Sequence, residues 1–199
     1  MLEPNNLSKM YIKKLNELMN DPDVEIWAMD EVLFQQHGSV CKMWVAPEER
    51  DPVIHHHPTR KSVGYYGAVR LRDGKFVYQR EPEVFNAETC QRFLKHLRKK
   101  TARTNRKVIV IADNARYHHA KLHKPWRDAC ADKFALDFLP AYSPELNPAE
   151  RVWKMTRRCC THNRYFPTLD SVIAAVEPQF DCAPHRHVSP LCDVGLEIS

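Results

Sequence analysis

Residues Lys107–Ala112 read KVIVIA and run directly into Asp113 and Asn114. Five consecutive apolar residues, four of them β-branched, show no polar alternation, which describes a strand covered on both faces, as in a parallel sheet packed between helices. Upstream, Asn86 to Lys100 has the apolar spacing of an amphipathic helix, with Asn86 as N-cap and Glu88 in the first turn. Downstream, a helix is predicted from about His118 to Asp132, then a strand over Phe134–Leu139. A rigid loop, Pro140–Asn147, leads into a helix from Pro148 to about Cys160, and a weaker helix covers 168–177.

Nearer the N-terminus, residues 6–20 place Leu7, Tyr11, Leu15 and Leu18 on one helical stripe, closed by Asn20-Asp21-Pro22-Asp23. A short apolar strand, Glu25 to Met29, then delivers Asp30 and Glu31. The proline-rich stretch 46–60 reads as loop, and Val63–Leu71 and Lys75–Arg80 as strands joined at Arg72-Asp73-Gly74, where Asp-Gly signals a hairpin. Strands first, then strands alternating with helices, predict an α/β fold: a mixed sheet flanked by helices. The expected division is a linker helix over 1–22, a catalytic domain over 23–177 and an irregular tail over 178–199.

Composition narrows the function classes. Forty-three per cent hydrophobic and 28 % charged residues in 199 suit one globular domain. No apolar run is long enough to cross a membrane, and the first 20 residues lack an apolar signal core, so a cytoplasmic location is expected. Seven cysteines without a C-x-x-C pair read as thiols in a reducing compartment. The net charge of +5 is unevenly spread: Arg92–Lys107 holds eight Lys or Arg and no acid, and Arg151–Arg164 five more. Each block alone reads as a solvated helix face, but a pair of them suits a polyanion. Lys99, Lys100, Arg103, Arg151, Lys154, Arg157 and Arg158 are the candidate contacts to such a polyanion, and to DNA if the chemistry is that of a phosphodiester.

Three acids carry the chemistry. Asp30 and Asp113 end apolar strands, where ligands gather in α/β sheets, and Glu150 opens a helix. Taken singly, each has a structural reading: Asp30 as a polar strand end, Asp113 as a turn cap, and Glu150 as the third residue of a capping box begun by Asn147 and Pro148. Together they form a hard oxygen ligand set suited to Mg²⁺ or Mn²⁺, two ions of which activate attacking and leaving oxygens in phosphodiester chemistry.

Three stretches also resemble a family. FLPAYSPELNPAERVW at 138–153 resembles the segment around the last acid of DDE transposases, in mariner-like elements and their bacterial insertion-sequence relatives. IWAMDE at 26–31 and VIVIADNARYH at 108–118 resemble the segments around the first and second Asp, and the 36 residues between Asp113 and Glu150 suit the family's spacing. The resemblance, over roughly 20–175, implies an RNase H-like fold, catalysis by Asp30, Asp113 and Glu150 with two Mg²⁺ or Mn²⁺ ions, and cut-and-paste transposition of an insertion sequence in the bacterial nucleoid. Glu31 and Asn114 match flanking positions and are expected to support the ligands. The implied partners are DNA, as transposon ends and target, and a second copy or a separately encoded N-terminal DNA-binding half. The family carries a helix-turn-helix ahead of the first Asp where this chain has one helix. That gives an alternative, a truncated remnant that binds DNA or a full-length transposase. Another is a resident RNase H-like endonuclease.

Other constellations are weaker. His55-His56-His57 lacks zinc spacing and reads as a solvent loop. His119 and His123 stand four apart on the expected helix without a third ligand. Trp27, Trp44, Trp126 and Trp153 are expected in the core, Trp153 anchoring the Glu150 helix. No phosphate-binding G-x-x-x-x-G-K-[ST] is present, which leaves no support for nucleotide-driven chemistry.

Overall fold

The computed structural model describes residues 4–46, 48, 53, 55, 58–82, 84–141, 143 and 146–182. Five strands form one mixed sheet in the order β3-β2-β1-β4-β5: β1 Val24–Gln35, β2 Ser62–Arg70, β3 Phe76–Glu81, β4 Lys107–Ala112 and β5 Phe134–Phe138. β2 pairs antiparallel with β1 and β3, whereas β4 pairs parallel with β1 and β5. The hairpin between β2 and β3 turns at Gly74, whose φ of 72° lies where glycine is favoured. This is the mixed α/β sheet anticipated from the strand and helix order.

Helices cover both faces. α2 (Ala87–Lys100) lays Cys90, Phe93, Leu94 and Leu97 against Trp27, Met29 and Val110. Asn86 caps it, its side chain accepting from the Glu88 and Thr89 amides while the Thr89 hydroxyl accepts from the Asn86 amide. On the other face lie α1 (Pro4–Asn20), α4 (Ala149–Thr156) and α5 (Leu169–Asp181), whose Leu15, Val152, Trp153, Val176 and Phe180 share one core with Ala28 and Val32. α5 continues past Glu177, with Pro178 inside it, so four residues of the expected tail are helical.

Three expectations are corrected. β1 does not stop at Met29: Val32 and Phe34 are buried while Leu33 is half-exposed, and this alternation carries the strand to Gln35 against β2. The helix expected over His118–Asp132 is two 3₁₀ turns, Arg116–His119 and Lys121–His123, followed by the short α3 (Lys124–Ala129). Ala120, with ψ 137°, breaks it, so His119 and His123 do not share a helical face. Trp27 and Trp153 are buried and Trp126 packs on Phe134, but Trp44 is fully exposed, outside the core. His55 is exposed, and His56 and His57 lie outside the described residues. The six described cysteines are free.

Candidate active site

Asp30 sits mid-strand, two residues beyond the last β1–β4 pair (Ala28 with Ile111) and opposite Gly67 of β2. Past that pair the sheet opens beside β1, and Asp113, the first residue after β4, faces the same opening. Glu150 is carried there by the first turn of α4. The three acids, with Asn114, Leu139, Pro140, Ser143 and Asn147, line one cleft of about 280 Å³.

Each ligand candidate is held by a separate device. The Trp153 indole N–H donates to Asp30 Oδ2 at 3.0 Å. The indole lies so close above β2 that a Cβ on Gly67 would enter the ring, so glycine there is a packing requirement. The Asp113 Oδ1 accepts from the Ala115 amide at 2.9 Å and from the His118 Nδ1 at 2.9 Å. Asn114 ties the end of β4 to the end of β5, its Nδ2 donating to the Leu139 carbonyl at 2.6 Å. Asn147 donates to the Met29 carbonyl at 3.2 Å and accepts from the Ala149 amide at 3.2 Å, pinning the start of α4 to β1 one residue before Asp30. The capping box expected from Asn147 to Glu150 is not formed. Pro148 takes the cap position and the helix starts at Ala149, so Glu150 is its second residue and the Asn147 bond to the Ala149 amide closes a turn ahead of it. The Glu150 carboxylate makes no hydrogen bond among the described residues and is left to the cleft.

Electrostatics separate the aspartates. Burial, then the neighbouring Glu31 and Glu150 charges, push Asp30 up to about 7, against the pull of the Glu31 amide and Trp153. The hydrogen bond from His118 holds Asp113 below the usual carboxylate range, despite partial burial. His118 itself is fully buried, with both ring nitrogens facing acceptors: Nδ1 faces Asp113, and Nε2 faces Glu31 Oε1 at 3.0 Å. Burial alone would lower its pKa. The bonds to Asp113, Cys90 and Glu31 outweigh that and raise it to about 12, so it is an imidazolium. Glu31 thereby acts indirectly, by fixing the histidine that fixes Asp113. His118 was missed in the sequence because its partners lie 5 and 87 residues away.

This donor set fits a hard divalent cation. An aspartate raised by burial and then by like charges is relieved by one, and all three side chains offer oxygen. Among the described residues no three His, Cys, Asp or Glu stand close enough to share a single ion directly, so waters would complete any coordination in the cleft. The basic candidates divide. Arg151 and Lys154 ride on α4 beside Glu150, and Arg158 is exposed on the π-helical turn (Arg157–Thr161) that follows. Arg157, on the same turn, packs over the Phe34 ring at 5.8 Å. Lys99, Lys100 and Arg103 lie elsewhere, lining a second cleft.

The family model described as DDE superfamily endonuclease matches residues 25–173, a span that holds all three acids. The chain belongs to that family. An uncharacterized protein y4pE/y4sA of Sinorhizobium fredii (strain NBRC 101917 / NGR234) is 39% identical over 67 residues, 33% of this chain and 45% of that protein. The fold is that of the Mos1 mariner transposase catalytic domain, the RNase H-like fold. Against a structure of that domain the TM-score is 0.61 at 16% identity, covering 94% of this chain and 83% of that one. Against the Mos1 paired-end complex with the left transposon end it is 0.69 at 17% identity, covering 94% and 56%. A Mos1 paired-end complex with Mn gives 0.69 at 16% identity, with the same coverage. The endonuclease domain thus spans about half the length of the transposase in the paired-end complexes. No helix among the described residues is long and apolar enough to cross a membrane.

Proposed function

We propose that this chain is the catalytic domain of a cut-and-paste transposase, cutting DNA at element ends and joining it to target DNA with Asp30, Asp113 and Glu150 as metal ligands. One observation carries the reading: these acids border one cleft in which Asp30 is raised to about 7 by burial and by the charges of Glu31 and Glu150. Such a site is incomplete without a cation. Mg²⁺ or Mn²⁺, as a pair of ions, would activate the attacking oxygen and stabilise the leaving one at a phosphodiester.

The chain's own contribution is positioning. Trp153 takes up one Asp30 oxygen and His118 one Asp113 oxygen, which aims the remaining lone pairs at the cleft. Asn147 sets Glu150 against the same strand. Arg151 and Lys154, on the helix that carries Glu150, supply phosphate contacts that place the scissile bond without reading sequence. The nucleophile is water in cleavage and a DNA 3′-hydroxyl in joining. The catalytic unit is residues 23–177 together with the last turn of α5, through Asp181, whose Phe180 packs in the same core. A second copy or a DNA-reading half is the partner that selects the ends.

The test supplies the chain with Mn²⁺ and duplexes ending in candidate terminal repeats, and resolves cut and joined products. Metal-dependent cutting and joining, both lost in Asp113→Asn, are expected. Cutting without joining would favour a plain endonuclease, and products that survive Asp113→Asn would end the reading.

A further inference from the structure

A second cleft, of about 660 Å³, is lined by Arg70, Lys75, His96, Lys99, Lys100 and Arg103. Its floor holds Glu25 and Trp27. Glu25 is buried and neutralised within the protein, ion-paired to Arg70 at 3.0 Å and accepting from the Trp27 indole at 2.7 Å. Lys75, Lys99, Lys100 and Arg103 are exposed, and none has an ion pair among the described residues. Four exposed cations on a hairpin, a helix end and the loop after it, one of which, Lys75, has an acid (Asp73) acting on it from the same hairpin, leave this cleft with a net positive field. That field is felt locally: His96 is lowered by burial and then by Lys100 and Lys99.

Position separates this cleft from the acids in two ways. Along β1 the side chains alternate, so Glu25 and Trp27 face α2, while Asp30 faces α4 with Ala28 and Val32. The basic cleft also lies where β4 begins and the acids where it ends. The six residues from Lys107 to Asp113 span roughly 20 Å at ~3.3 Å each. Opposite faces and opposite ends cannot be reached by one straight duplex, and short duplexes are stiff. Exposed cations spread over three segments also lack the convergence a small anion needs, but they match a polymer with repeating charge.

We propose that this cleft is a second DNA site, gripping the phosphate backbone of a duplex segment other than the one presented to the acids. The inference rests on reading the chain as a DNA-cutting domain. It makes that domain a bridge between two segments, as joining one DNA to another requires.

The experiment titrates the chain with a labelled ~20-bp duplex of arbitrary sequence, at several salt concentrations, following stoichiometry and His96 by NMR. Two duplexes per chain are expected, with the His96 pKa rising on binding as phosphate offsets the lysines. The variant Lys75→Ala/Lys99→Ala/Lys100→Ala/Arg103→Ala should keep one duplex, and its salt slope should fall by about 3.6, at ~0.9 for each of the four phosphates no longer neutralised. The variant Arg151→Ala/Lys154→Ala should keep the His96 response. A single duplex per wild-type chain, a slope unchanged in the fourfold variant, or displacement by equimolar inorganic tripolyphosphate would overturn the proposal. Cleavage is scored separately with Asp113→Asn. Absence of cutting beside an intact His96 response would sink the catalytic reading and leave this site standing.

Discussion

The Trp153 indole N–H reaches Asp30 Oδ2 at 3.0 Å, joining the first strand to the helix that carries Glu150 across 123 residues of sequence. Because that bond ties Asp30 to a buried side chain that packs α4 on the sheet, the carboxylate's surroundings and the fold's packing are coupled.

The coupling makes stability depend on pH. Asp30 has a folded pKa of about 7 against 3.8 unfolded, so the folded state holds its proton more tightly. Its contribution is favourable below about pH 4 and is lost as pH rises to 7. At ~1.4 kcal/mol per tenfold change in proton affinity, the loss is on the order of 4 kcal/mol. Asp30→Asn should abolish this step. Urea unfolding at pH 5 and pH 8 checks it: wild type should lose stability over that interval relative to the variant, and parallel curves would refute the assignment.

His118 contributes with a different sign and window. Its pKa is raised from 6.5 to about 12, so its stabilisation is complete below pH 6.5 and is lost as pH climbs toward 12. His118→Ala leaves Glu31 buried without its cation, at a cost of about 3–5 kcal/mol. His118→Ala/Glu31→Ala should recover part of that loss. A double-mutant cycle by chemical denaturation measures it, and strictly additive costs would show that the pair is not coupled.

Gly67→Ala places a methyl group where the Trp153 ring lies. A ring wedged between β2 and the Asp30 carboxylate cannot retreat without giving up that hydrogen bond. The expected cost is about 1–3 kcal/mol, as for overpacking elsewhere, with a red-shifted tryptophan emission. A variant as stable as wild type would mean the helix shifts freely.

Much of this frame was legible in sequence. KVIVIA could only be a covered strand, Asn86 and Asp73-Gly74 marked a cap and a turn, and three acids at element ends pointed to one site. What was not legible depended on contacts between distant segments. The 116–129 stretch has helical residues, yet it breaks at Ala120 and His118 turns inward to reach Glu31 and Asp113. Pro125, in the first turn of α3, was the local sign of a fresh helix start. Asp30 read as a strand end because Asp30-Glu31 interrupts the apolar run. The alternation of Val32 and Phe34 beyond it was the signal passed over. The basic block at 92–107 was visible, but its place on the opposite face followed only from the parity of β1 and the course of α2.

Binding of Mn²⁺, titrated by electron paramagnetic resonance of the free ion, tests the central claim most directly, because it needs neither a known DNA sequence nor turnover. Wild type should bind two ions per chain, and Asp30→Asn, Asp113→Asn and Glu150→Gln should each lose at least one. Glu150→Gln is the most telling of the three. Its carboxylate makes no hydrogen bond among the described residues, so the variant should melt within about 0.5 kcal/mol of wild type, as surface changes usually do. A Glu150→Gln protein that is folded and still binds Mn²⁺ with wild-type stoichiometry and affinity would contradict the account.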